Sequence, residues 1–245
     1  MEKKYRKAKV TSKNADRFEK ILLYTIEFLN KYRTQLIVTS SVIILLVLSI
    51  LVYTYIKTSN EEKAARDYDI ALLTIQNITL MTNEQEKQQY FQNEVNRLQS
   101  LIQNYPKTSA AIRARLFLAK LMYHNFVSSR SDEALNIAIS YYSAAFENSS
   151  KPFYKTIALL GRAQCYEQKN EMAKAFEDYQ LVATRYKTEG FTPTALIGMA
   201  RSKELINDVN TAIEIYKKVV TDYPDSLWAM FARGKLYFYS SQENK

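Results

Sequence analysis

The chain has 245 residues, 34 Lys+Arg against 25 Asp+Glu, and a formal net charge of +9. Four Gly and four Pro are far below the roughly thirty that ordinary usage supplies, which argues against the short-spaced turns of a β-sandwich or barrel. One Cys and one His exclude an internal disulfide and a histidine-rich metal cage, and the scattered glycines form no phosphate-cradling loop.

Ten of the cations lie in residues 1–34, with only four acids. Residues 1–13 are basic and poor in apolar side chains, a composition that predicts disorder. Asn14-Ala15-Asp16 offers a helix cap. Beyond it, Phe18, Ile21, Leu22, Tyr24, Thr25, Phe28, Leu29 and Tyr32 recur at helical spacing. Two readings fit residues 14–33: an amphipathic helix on a membrane surface, or an extension of the helix that follows.

Leu36 to Ile56 then runs 21 residues without a charge. As a helix it spans roughly 32 Å, enough for a hydrocarbon core of about 30 Å. Tyr32, Tyr53 and Tyr55 fit an interfacial aromatic belt. The long preceding region and the lack of a small-residue cleavage site favour an uncleaved signal anchor over a cleaved signal peptide. The 34 residues after the span carry four cations against ten before it, so the positive-inside rule puts the N-terminus in the cytoplasm. The layout is thus a tail (1–34), a transmembrane anchor (35–56) and an extracytoplasmic domain (57–245), with the anchor in the inner, cytoplasmic membrane.

The outer domain reads as helix after helix. Ala64, Tyr68, Ala71, Leu72, Ile75 and Ile78 form one apolar stripe. Tyr90, Phe91, Val95, Leu98, Leu101 and Ile102 form the next, stopped at Asn104-Tyr105-Pro106. A third helix covers about 109–124, a fourth starts at Asp132, and Lys151-Pro152 separates it from a fifth. Short helices joined by brief polar breaks imply stacked hairpins.

Internal repetition sharpens the pattern. Ala163, the turn Asn170-Glu171, Ala175 and Tyr179 superpose on Ala200, Asn207-Asp208, Ala212 and Tyr216 at an offset of 37 residues. The junction Asn104-Tyr105-Pro106-Lys107-Thr108-Ser109 echoes Asp222-Tyr223-Pro224-Asp225-Ser226, each followed by an Ala-rich helix. Small residues let helices approach, the tyrosines plug the groove, and Pro224 stops its helix. These residues resemble the tetratricopeptide repeat, although Leu159 and Leu196 stand where that family opens with Trp. The fold expected is all-α: a single transmembrane helix, then an α-solenoid of about four hairpins and a C-terminal capping helix.

The layout of tail, anchor and divergent hairpins resembles the YfgM-like group. That resemblance implies an extracytoplasmic domain working beside the Sec translocon with periplasmic chaperones. The alternative is a structural scaffold in envelope assembly or division, self-associating through the last helix. No cofactor is implied.

Candidate chemistry is sparse. Cys165 sits on an Ala-rich helix far in sequence from His124, which is expected to close its helix near the negative dipole end. Neither makes a nucleophile–base pair, so no enzyme is indicated. The adjacent acids Glu61-Glu62, Asp132-Glu133 and Glu177-Asp178 read as solvated faces or helix caps. The outer domain has 24 cations against 21 acids, with no basic stripe for nucleic acid. First helices of such hairpins usually line the binding groove, which nominates Gln164, Gln168, Arg201 and Glu204 for partner contact. Trp228, Met230, Phe231 and Leu236 are expected to pack the final helix on the preceding hairpin, or else to form a docking face.

Overall fold

A computed structural model describes residues 2–78, 80–188 and 190–243, with side chains described from Arg17 onward as far as Gln242. Ten helices follow one another among the described residues: α1 (Glu2–Lys31), α2 (Arg33–Ile78), α3 (Glu84–Asn104), α4 (Ser109–Ser129), α5 (Asp132–Asn148), α6 (Pro152–Gln168), α7 (Met172–Thr184), α8 (Thr192–Leu205), α9 (Val209–Asp222) and α10 (Leu227–Glu243). The chain divides into two compact units, Met1–Ser59 and Asn60–Lys245.

In the first unit, the basic segment expected to be disordered is helical from Glu2, and Asn14-Ala15-Asp16 lies inside α1 rather than capping it. Lys, Arg, Glu and Ala are good helix formers, so propensity rather than apolar patterning carries this stretch. Tyr32 alone separates α1 from α2, flanked by Tyr32 N–H to Phe28 O at 3.0 Å and Leu36 N–H to Tyr32 O at 2.8 Å. The apolar window in α2 is long enough to cross a bilayer, and none of it is buried by the protein. A soluble core helix would be covered; this one exposes its aliphatic side chains on every side.

The second unit is a stack. Each of α4 to α10 packs on the helix before it, α4 also touches α6, and α8 touches α10. Local chemistry sets the boundaries. Asn83, Thr108, Ser131 and Asp208 each cap a helix by accepting from backbone N–H groups two or three residues on. Pro152 and Pro193 sit in the first turns of α6 and α8, where no intrahelical N–H is needed. Asn170 and Asn207 turn the chain between paired helices at φ of 60° and 63°, a left-handed conformation that Asn tolerates.

The packing repeats every 37 residues over a longer stretch than the two segments first aligned. Ala138, Ala175 and Ala212 are fully buried, as are Ala145, Val182 and Val219 at the same spacing. Tyr142, Tyr179 and Tyr216 recur with them. Thus α4–α5, α6–α7 and α8–α9 are three successive hairpins, with α10 as an unpaired first helix. Ahead of them, Ala64, Tyr68 and Ala71 of α2 join Val95, Leu98 and Leu101 of α3 and Ala111, Ala114 and Leu118 of α4 in one cluster.

The tyrosines define why two first helices carry Gly at mid-length. A Cβ on Gly161 would lie 2.3 Å from the Tyr142 ring, and one on Gly198 would lie 2.5 Å from the Tyr179 ring. Gly in a helix costs about 1 kcal/mol against Ala. Here it buys the close approach of the preceding hairpin's aromatic plug.

Several expectations are corrected in detail. Tyr90 is exposed rather than inward. The helix expected to end at His124 runs on to Ser129, because Phe126 is buried against the α5 face and holds the extra turn. His124 is therefore an exposed residue within α4, not a C-terminal one. Asp178 is buried rather than solvated.

Candidate functional site

The first helices of successive hairpins are tied by a ladder of charge pairs. Glu167 of α6 accepts from Arg201 of α8 through both carboxylate oxygens, at 2.9 and 2.8 Å, and Arg201 also donates to Tyr179 Oη at 3.3 Å. Thirty-seven residues after Glu167, Glu204 of α8 accepts from Lys235 Nζ of α10 at 3.0 Å and from the Tyr239 hydroxyl. The second rung keeps the glutamate register but takes its cation from a different position, 31 rather than 34 residues on, and Lys lacks the planar two-point fork of Arg.

A further pair lies inside one hairpin. Arg162 of α6 grips Asp178 of α7 with two contacts of 2.7 Å and donates to Ser143 Oγ of α5 at 3.0 Å. One guanidinium thereby links three helices. Burial pushes the Asp178 carboxyl up, and the Arg162 fork pulls it back toward the charged form. Glu61 shows a related long-range role: its carboxylate accepts the Ser109 N–H at 3.0 and 3.2 Å at the start of α4. Of the adjacent acid pairs, Glu61 thus caps a distant helix and Asp178 ties two helices, while Asp132 and Glu133 lie exposed in the first turn of α5.

The two junctions are one device used twice. Thr108 and Ser226 each accept from the N–H three residues on (Ala111, Ala229) and donate to a tyrosine carbonyl (Tyr105, Tyr223). Arg115 and Arg233 then reach back nine residues to the carbonyls of Pro106 and Pro224, at 2.7 and 2.9 Å.

Of the nominated groove residues, Gln164 and Gln168 are exposed on α6. Arg201 and Glu204 are engaged within the protein as ladder rungs. The members that sequence reasoning missed are Arg162, Asp178, Glu167 and Lys235. The 37-residue spacing of Glu167 and Glu204 was the available signal. Cys165 is fully buried, and burial raises its thiol to about 12, whereas His124 is exposed. The two occupy opposite environments, and a thiolate is strongly disfavoured where Cys165 sits.

The final helix behaves as two faces. Ala229 and Ala232 are fully buried, and Trp228, Leu236 and Tyr239 pack on the α6–α9 core. Met230 and Phe231 do not close down as a full cap would require: they are 63% and 44% exposed, beside Leu227 at 71% and Phe238 at 51%. Leu227, Trp228, Met230, Phe231, Gly234 and Lys235 border a depression of about 450 Å³. Gly234 lies on this open face, where an added Cβ would meet nothing within 4 Å. The adjoining Tyr216 hydroxyl is buried without a hydrogen-bond partner, while nearby Glu204 is taken by Lys235 and Tyr239.

Paired helices with alanine contacts, a tyrosine plug and a turn asparagine define a helical-hairpin repeat. Residues 157–188 and 194–226, which span α6–α7 and α8–α9, match the family model for the tetratricopeptide repeat. No curated protein matches the chain. Among the described residues the chain is a tetratricopeptide-like, all-helical protein with one N-terminal helix long and apolar enough to span a membrane. Repeats of this type are protein–protein interaction scaffolds.

Proposed function

We propose that this protein is a single-pass membrane scaffold whose hairpin stack works outside the cytoplasm as an accessory of protein translocation and its chaperones. The uncovered apolar face of α10 carries the reading. Large exposed apolar patches on a folded domain mark interaction sites, and here the patch closes a stack that otherwise covers its first helices. An anchor tethers the stack to the membrane and raises its effective concentration toward membrane-bound partners. The likeness of tail, anchor and hairpins to the YfgM-like group supports the translocon as the neighbourhood, the inner membrane as the location, and a cytoplasmic N-terminus.

A photo-crosslinking residue placed at Met230, with Gln164 as a second site, tests this in native membranes. Adducts with translocon or chaperone subunits at Met230 support the reading, and their absence at both sites overturns it. The same exposed face favours one other reading, an envelope scaffold that self-associates through α10. Adducts between two copies of the chain at Met230 would select it.

A further inference from the structure

We infer that α1 is an anionic-lipid-binding helix that lies on the bilayer surface next to the membrane span. The inference rests on the membrane-anchor reading of α2. Phe18, Ile21, Leu22, Thr25, Phe28 and Leu29 fall on one side of α1, and the apolar members of this set are exposed. Lys20, Glu27 and Lys31 fall on the other side, which they share with the exposed Leu23 and Tyr24, and Arg17 lies at the edge of the stripe beside Phe28. Such a helix cannot leave one face in water without cost, because each buried large aliphatic or aromatic side chain is worth roughly 1.5–3 kcal/mol.

Charge selects the occupant. Residues 1–34 hold ten cations and four acids, a net +6 immediately before a 21-residue uncharged segment. A basic cluster at that position is drawn to the negative surface of a leaflet containing anionic lipid. A second copy of α1 carries the same positive excess and would be repelled. A protein groove would need its own acidic rim, whereas the bilayer supplies both the apolar bed and the negative charge within a few ångströms. Tyr32 is the single residue between α1 and α2, and a helix lying on the bilayer would have to change direction there to enter the span.

The test uses the full chain in lipid nanodiscs, with Cys165→Ala removing the native thiol. Spin labels are attached singly at positions 17 to 29 and at Leu45 and Leu48. In discs of mixed phosphatidylglycerol and phosphatidylcholine, labels at 18, 21, 22, 25 and 29 should be reached by oxygen. Labels at 20 and 27 should be reached by a water-soluble nickel chelate. This periodic pattern should weaken in pure phosphatidylcholine and at high salt. Each Lys→Gln change among Lys3, Lys4, Lys7 and Lys9 should lower the bound-to-free ratio about fivefold.

A uniform water-exposed profile in anionic discs would overturn the inference. So would an equal pattern in neutral discs, or dipolar coupling between labels of two copies. Oxygen contact at Leu45 and Leu48 reports the span separately: its loss would indict the anchor reading, and its retention beside a flat α1 profile would indict this inference alone.

Discussion

Helices α8 and α10 hold the same place in the repeat, yet one is core and the other is half surface. Nine residues of α8 are buried, while in α10 only Ala229 and Ala232 are, among the described residues. The difference lies in the neighbour. Helix α8 is followed by α9, which closes its second side, and α10 has no such partner within the described chain. The glycines differ too: Gly198 is pressed by Tyr179, while Gly234, next to the equivalent position Lys235, faces open space. So do the tyrosine hydroxyls, one held by Arg201 and the other unpartnered. A repeat unit therefore does not decide its own burial; the next unit does.

The largest effect should come from the plug. Tyr179→Ala removes a fully buried aromatic between two hairpins and should cost about 4 kcal/mol in denaturant unfolding. Phe231→Ala on α10 should cost less than about 1 kcal/mol in the purified protein. Comparable losses at the two sites would mean that the end of the stack is as closed as its middle.

Next in size is the three-helix tie. Asp178→Ala leaves the Arg162 guanidinium, only 17% exposed, without its carboxylate and should cost about 3 kcal/mol. Replacing the pair together by Arg162→Met and Asp178→Leu should recover much of that loss, since the penalty is chiefly one stranded charge. A double variant no better than the single one would show that the tie itself supplies the stability.

The glycine pair should split in sign. Gly198→Ala drives a methyl into a ring that cannot retreat and should destabilise by about 2 kcal/mol. Gly234→Ala gains helix propensity without a clash and should stabilise by about 1 kcal/mol. Smallest of all are the hydroxyls: Tyr179→Phe should cost about 1 kcal/mol, whereas Tyr216→Phe, which removes an unsatisfied buried group, should be neutral or slightly stabilising. A loss at Tyr216 equal to that at Tyr179 would reveal a partner for its hydroxyl.

Much of this architecture could be read from residues. The stripe from Ala64 to Ile78, the start of α5 at Asp132 and the turn asparagines all followed from periodicity, capping and small-residue spacing. The hairpin α4–α5 belongs to the same 37-residue register through Ala138 and Tyr142, but its longer first helix hid the alignment. The ladder was harder to see. Glu167 and Arg201 are 34 residues apart and look like two solvated charges until the first helices stand side by side. Gly161 and Gly198 likewise look like weak points in a helix until Tyr142 and Tyr179 are placed above them. The basic start of α1 misled for a different reason: low apolar content argues against a packed core, not against a helix made of residues with good helical propensity.

The central claim is that the open face of α10 is occupied in the membrane. Oxidative footprinting of Met230, in the purified chain and in intact native membranes, tests it most directly. Buried Met172 and Met199 serve as internal references. The account predicts rapid oxidation of Met230 in the purified protein and at least several-fold protection in membranes, with the references unchanged. Equal oxidation of Met230 in both settings would contradict it.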